Sequence, residues 1–180
     1  MDRLIDINDI LAVREIASNI PATQINNAID EAQAFDLVQG LGCDNSFVYY
    51  LSANQSVAKV VTLLDGASYS FEGKTYYFGG VKKALAYYAF ARLLQIHNVR
   101  VTAAAVVTKV GDNSTTVDTG QLSIAAGNAR SAGKQILEQC KEYLRRNETD
   151  WTEFECCGSE APDAFSVTVI KRQGDGNRPI

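Results

Sequence analysis

"KTYYFGGVKKALAYYAFARLLQIHN", residues 74–98, contains the longest apolar run of the chain, and what covers that run decides the fold. From Val81 to Ile96 the residues are apolar on nearly every side of a helix, interrupted by Lys82, Lys83 and Arg92. The run falls short of the roughly 18–20 residues needed to cross a bilayer. A helix without a polar face must be covered all round. One face can be supplied by the same domain, and the expectation is that the other is supplied by a second copy or a different protein. Immediately upstream, "SYSFEGKTYYFGG" alternates aromatic and polar residues about Glu72 and Gly73, so Tyr69, Phe71, Tyr76 and Phe78 predict a two-stranded hairpin over about 68–79. Gly79 and Gly80 end the hairpin and release the helix.

Working outward, residues 19–40 carry Ile25, Ile29, Ala32 and Leu37 near helical spacing, with Pro21 close to the start and Gly40 just past the expected end. A short helical or irregular piece over 47–51 and a helix over 55–64, stopped by Gly66, follow. Beyond His97, "NVRVTAAAVVTKVGDNSTTVDTG" is β-branched first and polar later. It reads as an extended arm or hairpin over about 99–118, with 99–110 as one strand and a turn near Gly111, Asp112 and Asn113. The last long helix, about Thr119 to Arg146, aligns Leu122, Ala125, Ala126, Ala129, Gly133, Ile136, Cys140 and Tyr143 on one stripe. Small residues in its middle permit close approach of another helix. The fold class is therefore mainly α: a helical bundle with a small β-hairpin, an extended arm and a C-terminal strand-like tail over 165–171. Residues 1–150 form one helical domain in this reading, and 151–180 a C-terminal extension.

Composition narrows the function. The 180 residues fit one domain, and 46% hydrophobic with 21% charged residues is the balance of a chain that folds. A formal charge of -4 without a basic cluster argues against phosphate-backbone binding. The N-terminus has no positively charged segment leading into an apolar one, so the expectation is a soluble protein made in a cytoplasm, without membrane association.

Catalytic signals are thin. His97 is the single histidine and stands at an expected helix end, where capping explains it as well as base chemistry does. Cys43, Cys140, Cys156 and Cys157 lack the spacing of a zinc site, and the adjacent Cys156 and Cys157 read as free thiols. Asp30, Glu31 and Asp36 share one helix and read as its solvated face. "FGGVKK" could open a phosphate site at a helix start, but it lacks the established phosphate-loop spacings and reads as a flexible turn. "VGDNS" lacks the spaced acids of a calcium loop. No cofactor, no metal and no enzymatic activity are expected. Three Tyr-Tyr pairs, at 49–50, 76–77 and 87–88, cannot each turn both rings to one core, and ordinary half-buried tyrosines and contact surface explain them equally well.

The ordered series "IDINDILAVREIASNI", "IDEAQAFDLVQGLG", "FEGKTYYFGGVKKALAYYAFARLL", "VVTKVGDNST" and "ARSAGKQILEQCKEYL" resembles the head-to-tail connector (adaptor) proteins of tailed bacteriophages, over about residues 4–150. It is most similar to those of crAss-like and other phages of Bacteroides. The resemblance implies a structural virion protein of the neck: a homo-oligomeric ring, usually twelve-fold, bound to the portal protein above and to tail or further neck proteins below. DNA would pass through the lumen only as cargo. Two alternatives are a tail-completion or tail-terminator ring protein and a small ligand- or phosphate-binding domain. The apolar surplus nominates Tyr87, Phe90 and Leu94 on the first helix, and Ala129, Gly133 and Ile136 on the last, as oligomer or partner contacts. On that expectation a bulky charged residue at Gly133 blocks assembly and leaves the subunit folded.

Overall fold

A computed structural model describes residues 1–16, 20–42, 45–96, 99–101, 106–108 and 119–154. The architecture is mainly helical with a small hairpin, as the sequence pattern predicts. Helix α1, Ile7–Val13, starts at a capping box: Asp6 accepts from the Asn8 and Asp9 backbone N–H groups, and the Asp9 side chain accepts from the Asp6 N–H. Helix α2, Ala22–Glu31, begins after Pro21 and runs on through a π-helical turn, Ala32–Leu37, into the short α3, Val38–Leu41. The helix ends at Gly42, with φ of 72°, rather than at Gly40. Gly40 lies inside α3, where its lack of a side chain makes room for Leu137: a Cβ there would stand 2.5 Å from Leu137 Cδ2. Helices α4, Asn45–Ala53, and α5, Ala58–Asp65, lead to the hairpin of β1, Ala67–Phe71, and β2, Lys74–Phe78.

The hairpin register pairs Tyr69 with Tyr76 and Phe71 with Lys74, turning at Glu72 and Gly73. It is pinned to the far end of the last helix by Arg146. That guanidinium lies 4.0 Å from the Tyr76 ring centre, and its Nη1 donates to the Tyr69 hydroxyl at 3.2 Å. Two glycines with positive φ let the chain cross itself beside the hairpin. A Cβ on Gly80 would meet the Asp65 carbonyl carbon at 2.5 Å, and one on Gly66 would meet the Phe78 carbonyl oxygen at 2.6 Å. The freedom of "FGGVKK" is thus used to bring the turn between α5 and β1 against the turn that follows β2. Lys82 of that motif pairs with Asp65 at 2.7 Å.

Helix α6, Val81–Ile96, is the central element. It touches α1, α2, the π-helical turn, α5 and the last helix α7, Thr119–Arg146. Val81, Ala84, Leu85, Ala86, Tyr88, Ala89, Ala91 and Leu93 are buried. The cover expected from another chain is therefore supplied largely by the chain itself. Each large side chain so buried contributes about 1.5–3 kcal/mol relative to exposure.

Two other expectations change. Residues 99–110 are not one strand, since β3, Val99–Val101, pairs antiparallel with β4, Val106–Thr108, aligning Val99 with Thr108. The domain also does not stop at 150. Trp151 is 1% exposed, set edge-on to Phe47 and Tyr143, and Phe154 packs beside it on the 3-10 turns Glu148–Asp150 and Thr152–Phe154. The expected turn at Gly111 to Asn113 and the strand-like 165–171 lie outside the described residues.

Candidate interaction surface

Helices α6 and α7 run antiparallel, and the six nominated contact residues all lie on this pair. Gly133 is buried where the helices come closest: its Cβ position lies 3.0 Å from the Ala84 carbonyl oxygen and 3.0 Å from Tyr88 Cε1. Ile136 is partly buried beside Gly79, and Ala129 is buried. These three serve contact within the subunit. A bulky charged residue at Gly133 would push into backbone, so the expectation that the subunit tolerates it is corrected.

Tyr87, Phe90 and Leu94 are placed differently. They are partly buried around a small second cluster of Ala91, Ala126 and Ala129, separate from the main core. Tyr87 carries the Arg14 guanidinium 5.5 Å over its ring. Alanines give the helices a close seam but cover little area, so the larger side chains on the rim keep part of their surface free. Ile124, on the outward side of α7 away from Ala126 and Ala129, is 65% exposed, and Ala125 beside it is exposed too. Phe35, on the π-helical turn, is 62% exposed under the Arg92 guanidinium at 5.5 Å. Tyr87, Phe90 and Leu94 share one face of α6, whereas Ile124 and Phe35 open on other sides of the molecule.

Of the tyrosine pairs, Tyr50, Tyr76 and Tyr88 turn inward while Tyr49 and Tyr77 stay 62% and 67% exposed. Tyr87 stands on the open rim. The reading that each pair divides between core and surface therefore describes the first two and the third in part.

Chemistry is sparse among the described residues. Cys140 is buried, and burial pushes its thiol up to about 12, far from a reactive thiolate. No group of three or more His, Cys, Asp or Glu is placed to hold a metal among the described residues. Nor is any described helix long and apolar enough to cross a membrane. Asp36 and Glu31, expected on a solvated face, instead bind Arg92 from the π-helical turn and the end of α2, at 2.5 and 2.8 Å. Asp30 pairs with Arg3 at 2.6 Å. His97, Cys43, Cys156, Cys157 and "VGDNS" lie outside the described residues.

Fold and surface together define a small, mainly helical domain with partly open apolar side chains on α6. The chain belongs to DUF6712, a family of unknown function, which it matches over residues 41–164. That span continues past Asp150, in keeping with the burial of Trp151. No curated protein and no solved structure matches the chain.

Proposed function

We propose that the protein is a head-to-tail connector of a tailed bacteriophage, a non-enzymatic virion component that forms a ring between the portal and the tail. The observation that carries the proposal is the open end of the α6–α7 pair, where the partly open Tyr87, Phe90 and Leu94 surround a seam of alanines. A neighbour's apolar surface would close this end, and head-to-tail contacts of one patch on a different patch generate closed rings. The resemblance over residues 4–150 supplies the partners: further copies, the portal, and tail or neck proteins. It also supplies the location in the virion neck and DNA as cargo in the lumen.

The test is the native mass of the purified chain, alone and mixed with the portal protein of the same genome. A ring that forms with the portal, and that a Leu94→Asp plus Ile124→Asp double variant fails to form while remaining folded, is the expected outcome. Capture of tail tube protein but not portal would replace the connector by a tail-terminator ring. A monomer indifferent to both would overturn ring assembly altogether.

A further inference from the structure

A cleft of about 550 Å³ lies between the π-helical turn with α3 on one side and α7 on the other, and Tyr88 forms its floor. The Tyr88 side chain is almost wholly inside the protein, with 6% of the residue exposed. Its ring occupies a slot between two glycines: a Cβ on Gly133 would lie 3.0 Å from ring atom Cε1, and one on Gly40 would lie 3.4 Å from the hydroxyl oxygen. The slot delivers the hydroxyl to the cleft, where it makes no hydrogen bond with any described residue. No buried side-chain polar atom among the described residues lacks a partner, so the hydroxyl is reached by cleft water, which an incoming acceptor would displace. Burial, with Asp36 and Glu138 nearby, pushes the phenol up to about 12, so it remains a hydrogen-bond donor at neutral pH.

The charges around it are unequally satisfied. Asp36 is held by two nitrogens of Arg92, at 2.5 and 3.2 Å, and Glu138 by Lys141 at 3.1 Å. Among the described residues Arg130 donates to the neutral Gln95 side chain, at 3.0 Å, and Lys134 has no acidic partner. Lys134 and the phenolic donor therefore line the cleft without an acidic partner, with Arg130, held by a neutral amide, beside them. A carboxylate matches them: one oxygen can accept from the phenol and the other from a cation, with a single negative charge. A doubly charged phosphate would lie close to both Asp36 and Glu138 and gain less. The cleft is several times larger than a carboxylate and open to solvent, which suits a side chain carried on a peptide.

We propose that this cleft is a docking point for an aspartate or glutamate side chain presented by an acidic segment of a partner protein. The assignment goes beyond ring formation and does not depend on it. The experiment is a titration of the full chain, with ¹³C-labelled tyrosine rings, at low salt. The probes are the blocked pentapeptide Gly-Glu-Asp-Glu-Gly, its Gln/Asn counterpart and inorganic phosphate. Saturable movement of the Tyr88 ring signals with the acidic peptide, and with neither of the others, is expected. By calorimetry, Tyr88→Phe should bind that peptide roughly three- to tenfold more weakly, the worth of one hydrogen bond, while melting no lower than the parent. Lys134→Ala should weaken it to a similar extent. Equal binding of the amide peptide, saturation by phosphate alone, unchanged affinity in Tyr88→Phe, or no movement at millimolar peptide would each overturn the assignment.

Discussion

The two halves of α7 are one unbroken helix in unlike surroundings. Across residues 133–146, α7 is closed in by α6, α3, the hairpin and Trp151, and Leu137, Cys140 and Leu144 are 1% exposed or less. Across 120–129 only Ala126 and Ala129 are buried, while Gly120, Gln121, Ser123, Ile124, Ala125, Gly127 and Asn128 face outward. The first half is ordered by burial. The second contains three weak helix formers on its open side, Gly120, Gly127 and Asn128, and contributes little core of its own. The difference separates the part of α7 that holds the subunit together from the part that the subunit leaves open.

The comparison breaks most easily at the closed half. Trp151 fills the space between Phe47 and Tyr143, so Trp151→Ala should lose about 3–5 kcal/mol, the usual result of truncating a large buried aromatic. Denaturant midpoints of the full chain measure this. A loss below about 1 kcal/mol would return the residues after 150 to the surface.

Gly133→Val comes next, with an expected loss of about 1–3 kcal/mol from overpacking against the Ala84 carbonyl and the Tyr88 ring. Gly127→Ala, six residues earlier on the same helix, should do the opposite. Nothing lies within 4 Å of its Cβ position, so only the helical preference of alanine counts, and the chain should gain up to about 1 kcal/mol. Thermal melts of the two variants side by side would dissolve the distinction between the halves if both moved in the same direction.

The sequence disclosed much of this arrangement, but not which surfaces face which. Alternation at Tyr69, Phe71, Tyr76 and Phe78 specified the hairpin because a strand's period of two is hard to produce otherwise. The stripe from Leu122 to Tyr143 gave α7 and its close partner. The capping box at Asp6 and Asp9 was also there to be read, as the start of α1. By contrast, the π-helical turn shifts the helical phase by inserting about one residue, and no composition signal marks it. It turns Asp36 toward Arg92 and buries Gln33, whose side chain binds the Leu4 N–H and the Asp2 carbonyl. Apolar character around all of α6 states that cover is needed, and cannot state whose chain supplies it. For the same reason Tyr87, Phe90 and Leu94 were legible as a group with Ala129, Gly133 and Ile136, while the division between rim and seam depended on the packing. Tyr88 was visible only as half of a pair, because its slot is made by glycines on two other helices.

The smallest expected effect sharpens the closed half further. Lys59 Nζ reaches the Glu153 carboxylate at 3.0 Å and the Asp150 carbonyl at 2.9 Å, and lies 5.0 Å over the Trp151 ring, fastening the 148–154 turns to α5. Partial burial works against the Glu153 charge, but its own backbone N–H and the Lys59 ammonium outweigh it and hold the carboxyl below the ordinary glutamate value. The folded state therefore binds this proton more weakly than the unfolded state. Its contribution is complete above the ordinary glutamate value and is lost as pH falls through the lower folded one. A partly exposed pair of this kind is worth about 0.2–1 kcal/mol. Trp151 is the only tryptophan, so its fluorescence reports the fastening directly. Glu153→Gln should show the same small loss of stability at pH 7 that the parent shows only on acidification, and should flatten that part of the pH profile. An unchanged profile in the variant would mean that the turn is held by the burial of Trp151 alone, and that the closed half owes nothing measurable to its charges.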